Sequence, residues 1–223
     1  MVGYIYLACI LGMIMLIYEG ITTSISYAPG KIKHITVIAL ILVLLRYISL
    51  LLLYLNQRVL YVYLLKPIMF LEIVYLPVIG FICIYIFSRN DKIKLNYFYF
   101  ISTIFLIVYL FIAVKAPIKT TLSEFYGYTI ILEKDYNMYL MLCIINTICF
   151  VMGIRAYGYK YSNKLGSLLI IISSLLTLAS VLLAIVDMRF FGAKLFGEIL
   201  WVITMIYGLR KFKQNHKKGV FSK

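Results

Sequence analysis

The chain has 223 residues, of which 64% are hydrophobic and 13% charged, with a formal net charge of +14 and a mean hydropathy of +1.01. Soluble domains are roughly half apolar and a quarter charged, so a water-soluble globular fold is excluded, and in so short a chain no room is expected for a separate soluble catalytic domain. The excess of Lys and Arg is spread between apolar runs instead of forming one groove-sized patch, which argues for a lipid bilayer and against nucleic acid as the partner of that charge.

In chain order the apolar runs are Val2–Tyr18, Ile35–Leu55, Pro67–Ser88, Leu95–Val114, Met138–Tyr157, Ser167–Val186 and Gly192–Leu209. About twenty apolar residues cross a bilayer as a helix. The expected fold is therefore an all-α membrane protein, a bundle of about seven transmembrane helices. Residues 1–209 form the transmembrane domain and residues 210–223 a basic cytoplasmic tail. The first run lacks a positively charged leader and a small-residue cleavage site, so it is expected to stay on the mature protein. The third run is preceded by apolar Val59–Leu65, and the combined stretch is too long for one span, so an interfacial segment is expected before Lys66-Pro67.

Loop charges set the expected orientation. One alternate set holds Lys31 and Lys33; Arg89, Lys92 and Lys94; Arg155, Lys160 and Lys164; and Arg210, Lys211, Lys213, Lys217, Lys218 and Lys223, fourteen positives in all. The other holds seven: Arg58, Lys66, Lys115, Lys119, Lys134, Arg189 and Lys194. Short cytoplasmic loops accumulate Lys and Arg, so the N-terminus is expected outside and the C-terminus in the cytoplasm, in a plasma membrane of bacterial type. Many of the 21 Tyr, among them Tyr4, Tyr6, Tyr18, Tyr54, Tyr97, Tyr99, Tyr157 and Tyr159, fall near span ends; there an amphipathic ring anchors at the interface. The longest outer loop carries Glu124, Glu133 and Asp135 around apolar Tyr128–Leu132. It fits a small strand pair over the bundle or a plain ordered loop.

Soluble-enzyme motifs are missing: there is no HExxH, no GxSxG and no phosphate-binding loop, and the two histidines, His34 and His216, lie in basic segments. The four Cys (Cys9, Cys83, Cys143, Cys149) sit inside apolar runs without metal-ligand spacing. Neither a metal nor a cofactor is expected. The residues that stand out are ionisable groups in or beside the spans: Arg46, Glu72, Asp187 and Glu198. Burying them is costly unless they pair or line a cavity. All four gather towards the outer half, where they read either as a structural charge pair or as an outward-facing ligand pocket. Pro77, just beyond Glu72, is expected to kink the third span. Asn146 and Thr147 can bond across helices, and Ser173, Thr177, Ser180 and Ala184 form a small-residue face for close packing.

The run Pro67-Ile-Met-Phe-Leu-Glu72-Ile-Val-Tyr-Leu-Pro77-Val-Ile-Gly80, leading into Phe87-Ser88-Arg89-Asn90, resembles the seven-helix sensor region at the N-terminus of some bacterial histidine kinases. In that family a Leu-Pro step sits in an apolar helix ending in an aromatic and a basic turn. A Tyr-Gly pair in an outer loop follows the fourth span, as Tyr126-Gly127 does here. The resemblance implies a signalling role, with output through a cytoplasmic or membrane protein partner because only a short tail follows the last span. Lys66-Pro67 is also similar to the Lys-Pro that opens an early span in lysoplasmalogenases, but the Gly-Asp of that family is missing and its catalysis is not carried over. The expected function is a multi-pass membrane sensor or accessory subunit that is not itself an enzyme. A small transport subunit or an intramembrane lipid-modifying enzyme is the alternative.

Overall fold

A computed structural model describes residues 2–55, 59–88, 95–115, 118–123, 127–132, 136–185 and 191–221, with side chains described for 3–55, 62–88, 99–111, 138–183 and 195–214. The elements are α1 (Val2–Tyr27), α2 (Gly30–Leu55), α3 (Val59–Met69), α4 (Glu72–Ser88), α5 (Leu95–Lys115), β1 (Ile118–Ser123), β2 (Gly127–Leu132), α6 (Tyr136–Gly158), α7 (Lys164–Ile185) and α8 (Phe191–Phe221). Five helical stretches among the described residues are long and apolar enough to cross a membrane: Gly3–Tyr27, Gly30–Leu55, Val62–Ser88, Met138–Gly158 and Lys164–Leu183. In lipid every backbone N–H and C=O must be satisfied within the segment, which is why such runs are helical. The outer surface agrees: Leu11, Met15, Ile38, Ile107, Ile144 and Leu175 are exposed although apolar, a surface unsuited to water.

Helix α4 is the centre of the bundle. It is apolar on every side, and nearly all of its residues are buried, as expected of a helix surrounded by others. It packs on α2, α5, α6, α7 and α8, while α1 lies against α2 and α8. Gly80 makes one of these approaches, since a Cβ there would stand 2.7 Å from Cys149 Sγ on α6 and 3.4 Å from Trp201 on α8.

Helix ends differ from the expected runs. The first span does not stop at Tyr18: α1 continues to Tyr27 and α2 starts at Gly30, which keeps Glu19 within a helix, where it pairs with Arg210 of α8 at 2.5 Å in an exposed position. The interruption of the third region falls at Phe70-Leu71. Leu71 N–H bonds to the Ile68 carbonyl and Ile73 N–H to Phe70, both at 3.3 Å, the tighter i to i−3 pattern of a helix end. The Pro67 carbonyl, which an unbroken helix would bond to Leu71, instead accepts from Tyr109 Oη on α5 at 2.5 Å. Helix α4 runs through Pro77 without interruption.

The segment between α5 and α6 contains a strand pair. β1 and β2 are antiparallel, with Ile118 opposite Leu132 and Ser123 opposite Gly127, and β2 lies against α2 and α3. At the opposite end Asn163 caps α7: its Oδ1 accepts from Gly166 N–H at 3.3 Å, the N3 donor a cap serves. Its own N–H donates to the Phe87 carbonyl at 3.0 Å, tying α4 to α7. Helix α8 carries through Leu209 into the basic segment as one helix, so the boundary drawn at residue 209 is a change of composition and not of structure.

Candidate functional site: a buried charge cluster

The helix break at Phe70-Leu71 makes Glu72 the first residue of α4, where the helix dipole favours a carboxylate. Opposite it, α2 presents Arg46, and α8 presents Glu198. Arg46 Nη2 lies 2.6 Å from Glu72 Oε2, and Arg46 Nη1 lies 2.5 Å from Glu198 Oε1. One guanidinium thus joins three helices that are far apart in sequence.

Two phenols complete the cluster. Tyr75 Oη accepts from Arg46 Nη1 and donates to Glu198 Oε2 at 2.8 Å. Tyr47 Oη donates to the same oxygen at 3.1 Å. The phenolic donors help to stabilise the Glu198 carboxylate, because hydrogen bonds to an ionised acceptor are stronger than neutral ones. The guanidinium carbon also stands 5.9 Å from the Tyr75 ring centroid, within range of a cation–π contact. Arg46 Nε has no hydrogen-bond partner among the described residues.

The cluster is closed. Arg46 is 7% exposed and Glu72 and Glu198 are 3% each, and Tyr47 and Tyr75 are buried. The cavity between α2, α4 and α5 is lined by none of the five. Of the four ionisable residues singled out in the sequence, the structure brings Arg46, Glu72 and Glu198 together; Asp187 lies outside the described residues. Sequence reasoning missed Tyr47 and Tyr75 because it assigned tyrosines to the membrane interface. A signal was present: Tyr75 follows Glu72 by three positions, one turn along the same helical face, and Tyr47 is the neighbour of Arg46.

A second buried network joins α6, α7 and α8. Thr177 Oγ1 is 2.6 Å from Asn146 Oδ1, Asn146 Nδ2 donates to the Leu142 carbonyl at 2.8 Å, and Trp201 Nε1 approaches Thr177 Oγ1 at 3.4 Å. Ser173, Thr177 and Ser180 are all buried, and Gly197 of α8 sits against Thr177, where a Cβ would come within 2.5 Å of its Cγ2. This is close helix packing fastened by polar side chains. Among the described residues Thr147 bonds only to the Cys143 carbonyl in its own helix. All four cysteines are free, with Cys83 and Cys149 buried. No cluster of His, Cys, Asp and Glu suited to a metal is found among the described residues.

The sequence matches no protein-family model and no curated protein.

Proposed function

We propose that this protein is a multi-pass sensor or accessory subunit of a bacterial plasma membrane, in which the Arg46–Glu72–Glu198 cluster governs the position of α8 and α8 carries that position to a cytoplasmic partner. The observation behind this reading is the continuity of α8. The helix holds Glu198 inside the cluster and runs unbroken to Phe221, past Arg210, Lys211 and Lys213. From residue 198 to 221 that is about 35 Å at ~1.5 Å per residue, so a change of partners at Arg46 acts at one end of a rigid rod whose other end is basic. The resemblance to histidine-kinase sensor regions points the same way.

In this reading the five apolar stretches are joined by α5 and α8 to make seven spans, with the N-terminus outside, as the loop charges favour. The cluster is closed in this state, so a ligand arriving from outside acts by competing for Arg46, Glu72 or Glu198. Near an anionic leaflet each basic residue of the tail contributes about 1 kcal/mol, which holds the end of α8 at the surface where a partner meets it.

The test combines one substitution and one deletion. A fluorophore is placed at Gln214→Cys in a variant without the native cysteines, and its emission is compared with and without Glu198→Gln. A changed emission in a protein that remains folded is expected; an identical spectrum would remove the link between cluster and tail. Deleting Gln214–Lys223 should leave membrane insertion intact and abolish signalling, whereas full signalling by the truncated chain refutes partner docking through the tail.

A further inference from the structure

Helix α8 is held at two places by an arginine–glutamate pair, and the two differ in kind. At residue 198 its carboxylate meets Arg46 in a buried contact. From residue 198 to 210, about 18 Å at ~1.5 Å per residue, the helix reaches a second contact, where Arg210 meets Glu19 of α1. That pair lies in the open, with 58% of the arginine side chain and 40% of the glutamate side chain exposed. An exposed ion pair contributes little and is readily displaced.

Its geometry leaves room for a better partner. Arg210 Nε and Nη2 both donate to the single oxygen Glu19 Oε1, at 3.0 and 2.5 Å, whereas the strongest arginine–carboxylate contact sets two parallel bonds on two oxygens. A carboxylate that is free to choose its approach can make that contact; Glu19 is fixed to α1. The surroundings are cationic: Lys213 Nζ stands 5.4 Å from the Tyr27 ring centroid at the end of α1, and Lys211 Nζ stands 5.3 Å from the Tyr207 ring centroid. Glu19 is the one acid in the sequence of α1, and residues 210–223 contain none. The basic segment thus already holds a carboxylate, borrowed from another helix.

On the reading that α8 meets a cytoplasmic partner, on which this step rests, we infer that Arg210 recognises a carboxylate in an acidic segment of that partner and that Glu19 occupies the place until the partner arrives. When the partner's carboxylate takes Arg210, Glu19 is released and the end of α8 is no longer held to α1.

The full chain in neutral detergent is titrated with fluorescently labelled hexaglutamate, and binding is read by anisotropy. Glu19→Gln should raise the affinity by about twofold to fivefold, the factor that an exposed ion pair is worth. Arg210→Gln should weaken binding, and in that background Glu19→Gln should change nothing, because the contested place is gone; Arg210→Lys, which keeps the charge without the fork, serves in its stead should Arg210→Gln fail to fold. Asp91→Asn, which removes the same charge from the sequence between α4 and α5, should bind as wild type. Unchanged affinity in Glu19→Gln, the same gain with and without Arg210, or an equal gain in Asp91→Asn overturns the inference. A Glu19→Gln variant that gains affinity for phosphatidylglycerol vesicles and not for hexaglutamate overturns it too, by assigning Arg210 to a lipid phosphate. Because binding is read at Arg210 itself, a failed cycle removes the acidic partner and leaves the cluster's hold on α8 untouched, whereas unchanged emission at residue 214 in Glu198→Gln removes that hold and leaves the cycle standing.

Discussion

Arg46 Nη2 and Glu72 Oε2 meet at 2.6 Å across the α2–α4 contact, both side chains almost wholly withdrawn from the surface. Removing Arg46 takes the guanidinium from buried Glu72 and Glu198 together, and breaking a buried pair costs about 3–5 kcal/mol. Arg46→Ala should be destabilising on that scale, Glu72→Ala by less because Arg46 keeps Glu198, and the double variant should lose clearly less than the two losses added. Denaturant titration of the four proteins in detergent measures the coupling; strictly additive losses would show that the pair carries no interaction energy.

The two phenols should rank in a definite order. Tyr47 makes one hydrogen bond to Glu198, whereas Tyr75 bonds both Glu198 and Arg46. A hydrogen bond to a charged group contributes about 1.5–3 kcal/mol, so Tyr47→Phe should cost an amount in that range and Tyr75→Phe more. Thermal unfolding of the two variants side by side decides it, and a larger loss for Tyr47→Phe contradicts the geometry.

Gly197 has no space for a side chain because Thr177 fills the adjoining surface of α7. Gly197→Ala should destabilise by about 1–3 kcal/mol, the usual cost of overpacking. The nearest atom to a new Cβ is Thr177 Cγ2, which serine lacks while keeping the hydroxyl that bonds Asn146. Adding Thr177→Ser should therefore recover part of the stability. A double variant no better than the sum of the singles would place the conflict in the backbone instead.

Orientation can be read with two reporters. The fourteen-to-seven division of loop positives predicts that a reporter fused after Lys223 is cytoplasmic and one inserted near Glu133 is external. The reverse pattern would overturn the orientation and the cytoplasmic partner proposed for α8, and both reporters on one side would contradict the seven spans.

Membrane embedding and helical structure were legible from the sequence, because lipid allows a backbone few other solutions and apolar length alone reveals the runs. The same apolarity hid the packing. Helices that are hydrophobic all round carry no amphipathic stripe to say which face meets which neighbour, so nothing in the pattern marked α4 as the centre of the bundle. Rare polar residues were the exception: Arg46, Glu72 and Glu198 stood out by their cost of burial, and Ser173 and Thr177 by their spacing. Only the tertiary structure decided that one guanidinium serves both carboxylates, that Tyr47 and Tyr75 leave the interface to solvate Glu198, and that α3 ends at Met69 so that Glu72 opens a new helix. Each of these depends on contacts between elements distant in sequence, where the local pattern of residues says that a charge must find a partner but not which one.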